Sequence, residues 1–222
     1  MSNYNYPTNP TDMAKIDSKK YNATCLGENQ HGSIHLHSEY GNSNSDIRIA
    51  FLIGMHPLES KSHRALFDTI KSEDENLNYN YFIYNINVTM PIDEDNDEGR
   101  MDGQLLAQEF VAPHIIKEKY DLFIDVHSNR GMRGPGDYQK TNFLFAPGFD
   151  EKSQYYLNKI LSKWDDMEYY APDHRTSPEY ITVPTAESGI ATIVYETYTY
   201  ENMEKTLENA RKLVTIVDNL DF

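Results

Sequence analysis

Three short apolar runs constrain the fold of this 222-residue chain more than any other feature of its sequence. They cover residues 47–53, 120–126 and 190–195, and each is followed within three residues by a histidine or a glutamate. Near-continuous apolar runs of this length are typical of strands that are buried on both faces of a parallel sheet. We therefore predict an α/β fold in a single domain, with a mixed, mostly parallel twisted sheet and helices on both faces.

The segments between these runs support an alternation of strands and helices. Apolar residues recur at helical spacing in four segments, at residues 58–71, 103–119, 151–167 and 202–220. Residues 23–38 have the pattern of a hairpin, which would add antiparallel strands, and residues 80–88 predict a further strand. We expect Pro113 to break the second helix, and we expect a long loop at residues 168–189, which contain three prolines.

Composition and charge exclude several classes of function. The formal net charge of −15 argues against nucleic acid and against an anionic membrane surface as partners. No apolar stretch approaches the roughly 20 residues that cross a bilayer, and the first residues lack the pattern of a secretion signal. The single cysteine, Cys25, cannot form an internal disulfide and suits a reducing compartment. We therefore expect a cytoplasmic protein, with residues 1–18 as a loosely held N-terminal arm.

The residues that follow the apolar runs form a ligand set for a metal ion. His56 and Glu59 stand three residues apart after the first run, and His127 directly follows the second. Open α/β sheets bind small molecules and ions beyond the carboxyl ends of their strands. The side chains of His56, Glu59 and His127 are therefore expected to converge there. Two neutral imidazoles and one carboxylate form a ligand set of catalytic zinc sites, which keep a fourth position for water. We predict one zinc ion per chain, although manganese, iron or cobalt could use the same ligands.

Carboxylates near these ligands have candidate roles of their own. Glu196 directly follows the third run, where it could take a proton from the attacking water. Asp125 either makes a separate polar contact or orients His127, and strand alternation favours the second role.

His63, four residues after Glu59, is expected at the surface. In an alternative interpretation no metal is bound, and the two strand-end histidines hydrogen-bond to the backbone.

Arginines near the predicted site suggest a substrate that carries a carboxylate, which a guanidinium group can bind through two hydrogen bonds. Asn129 and Arg130 lie within three residues of the predicted ligand His127 and are the first choice for this role. Arg100, Arg133 and Tyr180 are further candidates for contact with the substrate. The partner is therefore predicted to be a small molecule or a peptide with a carboxylate, whereas the oligomeric state is left open.

Four segments of the chain resemble the zinc carboxypeptidase family in their residues and in their order. They are residues 26–34, 49–59, 125–128 and 194–196, which contain Gly-Glu-Asn-Gln-His-Gly, His-Pro-Leu-Glu, Asp-Val-His-Ser and Val-Tyr-Glu. The resemblance covers roughly residues 20 to 200. It implies that His56, Glu59 and His127 are the zinc ligands and that Glu196 is the base that acts on the zinc-bound water. It also implies the fold of that family, which matches the α/β prediction.

The spacing of these segments departs from that of the digestive carboxypeptidases. The short gap between Glu59 and His127 resembles the compact branch that includes succinylglutamate desuccinylase and aspartoacylase. The Asn-Arg pair that precedes the third ligand in the family follows it here, as Asn129-Arg130. The resemblance therefore implies a zinc metallohydrolase of amide bonds, either a carboxypeptidase-like metalloprotease or an N-acyl amino acid deacylase. The alternative is a non-catalytic protein of the same fold that contains a metal and binds a peptide or a carboxylate.

Overall fold

The structure is a computed structural model that describes residues 23–89, 98–134, 138–148, 150–173 and 177–222. The predicted N-terminal arm, residues 1–18, lies outside the described residues, and the assignment of the whole chain to one domain stays a prediction. None of the helices in the described parts of the chain is long and apolar enough to cross a membrane.

Eight strands form one mixed sheet, which confirms the predicted fold class. The strands are β1 (Thr24–Asn29), β2 (Gly32–Gly41), β3 (Arg48–Ile53), β4 (Asn80–Val88), β5 (Leu122–Asn129), β6 (Phe143–Phe145), β7 (Glu168–Tyr169) and β8 (Ala191–Tyr198). Their order across the sheet is β1-β2-β4-β3-β5-β8-β6-β7. The central strands β4, β3, β5 and β8 run parallel, so their carboxyl ends meet at one edge. Strands β2 and β6 lie antiparallel on either side of this group.

Helices cover both faces of the sheet, as the apolar runs predict. They are α1 (Ser60–Glu73), α2 (Glu98–Leu106), α3 (Ala112–Glu118), α4 (Glu151–Leu161), α5 (Thr182–Glu187) and α6 (Met203–Val217). Alternate residues of β3 enter different cores, since Phe51 packs with Leu66 of α1 and Leu213 of α6. Leu52 packs on the opposite face with Leu106 of α2. The central strands are therefore buried on both sides, which explains why their sequences are continuously apolar.

Two segments differ from the sequence prediction. The helix expected at residues 103–119 is divided into α2 and α3 by a π-helical turn, Ala107–Val111, and Pro113 lies in the first turn of α3. A proline ring clashes with the carbonyl four residues earlier in a regular helix, and the wider π turn accommodates it. The loop expected at 168–189 is wrong in part, because it contains β7, a 3₁₀ turn and α5. Pro178 lies in the 3₁₀ turn Ser177–Glu179 and Pro184 in the first turn of α5, where helices tolerate proline, and Pro172 lies in irregular structure.

Gly54 ends β3 and turns the chain toward His56 through a backbone conformation that favours glycine. Its φ is +85°, and a Cβ there would lie 2.1 Å from the carbonyl oxygen of Ile86 in β4. Gly189 has a similar φ of +90°, but a Cβ there would meet no atom within 4 Å. The two glycines therefore separate backbone strain from steric overlap.

We expect Gly54→Ala to lower the free energy of unfolding by about 3 kcal/mol, since both strain and overlap act on it. Gly189→Ala is the matched control and should lower it by about 1 kcal/mol, since only strain acts. Chemical denaturation of both variants and the wild type measures the difference. Equal losses at the two positions would show that the close approach of β4 to Gly54 does not constrain this turn.

Candidate metal centre

The parallel strands bring the predicted ligands together at the carboxyl edge of the sheet. His56 follows the Gly54 turn, and Glu59 ends the 3₁₀ turn Pro57–Glu59 that leads into α1. β5 does not end before His127 but runs on to Asn129, and β8 likewise runs through Glu196. His127 and Glu196 are direct neighbours in the register of these two strands. The site is thus built on the ends of three adjacent strands.

The spacing of His56, Glu59 and His127 fits a single metal ion. Nδ1 of His56 lies 3.0 Å from Oε1 of Glu59, and Nδ1 of His127 lies 2.9 Å from Oε2 of the same carboxylate. The two Nδ1 atoms are 3.1 Å apart. Tetrahedral zinc with bonds of about 2.0–2.1 Å separates its ligand atoms by about 3.3 Å. All three side chains are buried, so they form one compact group that could hold a metal.

The ionisation of these side chains is coupled through the shared carboxylate. Burial alone raises the pKa of Glu59, but the imidazoles of His56 and His127 outweigh it and hold this pKa well below its usual range. Burial lowers the pKa of His56 to about 3. Burial also lowers the pKa of His127, but Asp125 and Glu59 together raise it well above its usual range. Glu59 is therefore an anion beside a neutral His56, and a metal would displace the proton of His127.

Two further side chains, those of Asp125 and Gln104, lie next to the Nε2 atoms of the two imidazoles. Oδ2 of Asp125 lies 2.9 Å from Nε2 of His127, which favours the orienting role predicted for Asp125. The side-chain amide of Gln104 lies 3.2 Å from Nε2 of His56, a contact that no sequence pattern indicated. The backbone N–H of Ser128 donates to Oε2 of Glu59 at 2.9 Å. Both rings thus turn Nδ1 toward the carboxylate and Nε2 toward a supporting group.

The surface position expected for His63 is wrong. This side chain is buried, and its Nε2 lies 2.9 Å from the carbonyl oxygen of Val126, to which it can donate a hydrogen bond. Val126 directly precedes His127 in β5. The reason is that α1 packs the face containing His63 against β5, so this histidine links the helix after Glu59 to the strand that carries His127.

Glu196 is buried beside the ligand group and is held by an amide. Nδ2 of Asn129 donates to Oε2 of Glu196 at 3.1 Å and also contacts the carbonyl oxygens of Thr141 and Thr197. Burial raises the pKa of Glu196 to about 7, while His127 and this hydrogen bond act in the opposite direction. Oδ1 of Asn129 accepts from the N–H of Gly131. The structure therefore places the amide of Asn129, expected to contact substrate, against the carboxylate and the backbone.

The other candidates for substrate contact are spread along the edge of the site. Nη1 of Arg100, at the start of α2, lies 3.3 Å from Oε1 of Glu59. Arg130 is partly buried and Arg133 is exposed, at the two sides of the turn that follows β5. The hydroxyl of Tyr180 lies 3.7 Å from Sδ of Met101, the residue after Arg100. Of these residues, Arg100 is the one that the structure places in direct contact with the ligand group.

Tyr138 is a residue near the site that the sequence did not indicate. Burial raises the pKa of its hydroxyl to about 12, with a further increase from the carboxylate of Glu196 and a decrease from Arg100. Its ring packs edge-on against Phe143 and Tyr170. Since the chain has 17 tyrosines, no pattern in the sequence distinguishes this one.

Solved structures of metallo-carboxypeptidases share this fold. The protein from Pseudomonas aeruginosa, in complex with (2-guanidinoethylmercapto)succinic acid, aligns with a TM-score of 0.58 and 11% identity over 88% of this chain and 62% of that one. The protein from Burkholderia cenocepacia aligns with a TM-score of 0.57 and 13% identity over 93% and 66%. Product-bound cell shape determinant protein Csd4 from Helicobacter pylori aligns with a TM-score of 0.55 and 12% identity over 83% and 54%.

These comparisons establish the fold. No family model matches the sequence, and no curated protein matches it significantly. The resemblance to the zinc carboxypeptidase fold is confirmed, whereas the relation to the compact deacylase branch stays a prediction. The chain spans 62% of the Pseudomonas aeruginosa protein and 66% of the Burkholderia cenocepacia protein, so less than two thirds of either.

The raised pKa of Glu196 predicts a specific pH dependence of stability in the metal-free protein. Folding holds a proton on Glu196 between its ordinary value of 4.5 and about 7, so stability falls as the pH rises through this interval. Glu196→Gln removes this loss, and its stability relative to wild type should therefore increase by roughly 2–3 kcal/mol from pH 5 to pH 8. Urea denaturation with a chelator present measures this, with the exposed Glu187→Gln as control. A difference that does not change with pH would contradict the burial effect.

Proposed function

We propose that this chain is a zinc-dependent hydrolase of amide bonds, with His56, Glu59 and His127 as ligands of one zinc ion and Glu196 as general base. The observation that carries the proposal is the buried group of two imidazoles and one carboxylate, with a second carboxylate on the neighbouring strand. When bound, zinc would act as a Lewis acid and would lower the pKa of a water molecule. The donor set favours zinc, since two histidines and one glutamate recur in catalytic zinc sites.

Glu196 suits the role of base for two reasons. Burial raises its pKa to about 7 in the metal-free site, which increases its proton affinity, and a bound cation would lower this pKa and keep the carboxylate ionised at neutral pH. Asn129 donates to Oε2 and thereby leaves Oε1 to accept a proton from water. Because Glu196 lies beside His127 in the sheet without belonging to the ligand group, its substitution should separate metal binding from catalysis.

The proposed substrate carries a carboxylate next to the scissile amide bond. Arg100 supports this, since its guanidinium lies within 3.3 Å of the ligand group and is partly exposed. We assign Arg130, Arg133 and Tyr180 to the rim of the same site, and Asn129 to the support of Glu196. The dicarboxylic ligand of the Pseudomonas aeruginosa protein is consistent with such a substrate. C-terminal peptides and N-acyl amino acids both have this chemistry, and the exposed free thiol of Cys25 is consistent with a cytoplasmic location.

Glu196→Gln tests this assignment. We expect it to retain one zinc per chain but to lower kcat about 10²–10⁴-fold, because the amide cannot accept the proton of water. Amine release from a panel of N-acyl amino acids and peptides with a free carboxylate gives the rate, and elemental analysis gives the metal content. Glu187→Gln, an exposed substitution of the same type, should match wild type. Full activity in Glu196→Gln would refute the role of Glu196 as the base. If the wild type binds metal but hydrolyses none of the substrates, a non-catalytic binding protein is favoured instead.

A further inference from the structure

Helix α2 approaches the candidate metal centre so closely that only glycine fits at its contact point. A Cβ on Gly103 would lie 1.7 Å from the carbonyl oxygen of Met55. Met55 directly precedes His56, so the helix lies against the backbone that carries the first predicted ligand. Gly103 therefore permits a separation of helix and ligand backbone that any other residue would increase.

This close approach brings two side chains of α2 to two members of the ligand group. Gln104, the next residue, is 1% exposed, and the nitrogen Nε2 of its amide lies 3.2 Å from Nε2 of His56. Arg100, four residues earlier and therefore on the same side of the helix, contacts Oε1 of Glu59. A buried amide contacting a ligand imidazole is more than packing, because its hydrogen-bonding groups need partners.

The chemistry of imidazole defines what this amide does. A neutral imidazole has one N–H, on either Nδ1 or Nε2. Nδ1 of His56 faces Glu59 and His127, so a metal bound there would require the proton to be on Nε2. That N–H then needs an acceptor, and in the case of His127 the carboxylate of Asp125 lies 2.9 Å from Nε2. Rotation of the Gln104 amide by 180° presents its carbonyl oxygen to Nε2 of His56 and supplies the same function.

We propose that Gln104 is a positioning residue that holds His56 in the Nε2–H tautomer and presents Nδ1 to the metal, and that Gly103 makes this contact possible. The inference rests on the proposed function. It also gives the same positioning role to two different groups, the amide of Gln104 beside His56 and the carboxylate of Asp125 beside His127. A neutral amide on His56 adds no negative charge, whereas Asp125 beside His127 and the ligand Glu59 each offer a carboxylate to the zinc ion.

Zinc affinity of three variants tests the role of Gln104. Gln104→Leu keeps the approximate volume but lacks an acceptor, and we expect it to bind zinc about 10–100-fold more weakly than wild type. Gln104→Glu restores an acceptor and should bind zinc within about threefold of wild type or more tightly. Gln108→Leu changes an exposed residue in the π-helical turn that follows α2 and should match wild type. Competition with a chromophoric chelator gives each Kd, and circular dichroism of the metal-free proteins shows that each is folded.

A second measurement is independent of the variants. ¹⁵N NMR of the zinc-loaded wild type should show Nδ1 of His56 bound to metal and Nε2 protonated; the reverse assignment would overturn the inference. Equal zinc affinity of Gln104→Leu and wild type would also overturn the inference. So would an equal loss of zinc affinity in Gln104→Leu and Gln104→Glu, because that result would indicate that Gln104 acts only through packing. These results leave the proposed function intact. Failure of the wild type to bind zinc would instead refute both.

Discussion

The buried carboxylate of Glu59 is the interaction on which the arrangement of this site depends. It contacts the imidazoles of His56 and His127, accepts the N–H of Ser128 and lies beside Arg100. A buried carboxylate without such partners costs several kcal/mol, so the contacts must form together. They join the turn after β3, the end of β5 and the start of α2. The electrostatic requirement of one anion therefore determines how three separate elements meet at the carboxyl edge of the sheet.

The parallel register explains why the chemistry is concentrated at this edge. Strands β3, β5 and β8 are adjacent and run in the same direction, so His127 and Glu196 become direct neighbours although 69 positions separate them in the sequence. The apolar parts of the same strands form the two cores, and the polar residues occur where the strands leave them. Stability and the candidate function thus use different parts of the same strands. Gly54 and Gly103 serve both, since each allows the backbone near His56 to approach a neighbouring element.

Much of the fold and the ligand group could be predicted from the sequence, because both follow from local patterns. Continuous apolar runs identified the buried strands, and the convergence of His56, Glu59 and His127 could be predicted because each follows such a run. The contacts of Gln104 and His63 could not be predicted, since each joins elements distant in sequence, and Tyr138 could not be distinguished from the other tyrosines of the chain. The same reason explains Asn129, whose proximity to His127 suggested the substrate but whose amide holds Glu196 through the β5–β8 pairing. Pro113 indicated an interruption of the helix at residues 103–119, but its form as a π turn at Ala107–Val111 could not be predicted from the position of the proline.

The metal content of the purified protein is the most direct test of the central claim, with wild type measured beside His127→Ala by elemental analysis after zinc has been supplied and the excess removed. The geometry of the ligand group predicts about one zinc per chain in wild type. It predicts loss of this zinc in the variant, because His127 is one of the three proposed protein ligands. Absence of metal from both proteins, or equal zinc in both, would contradict a metal centre at His56, Glu59 and His127.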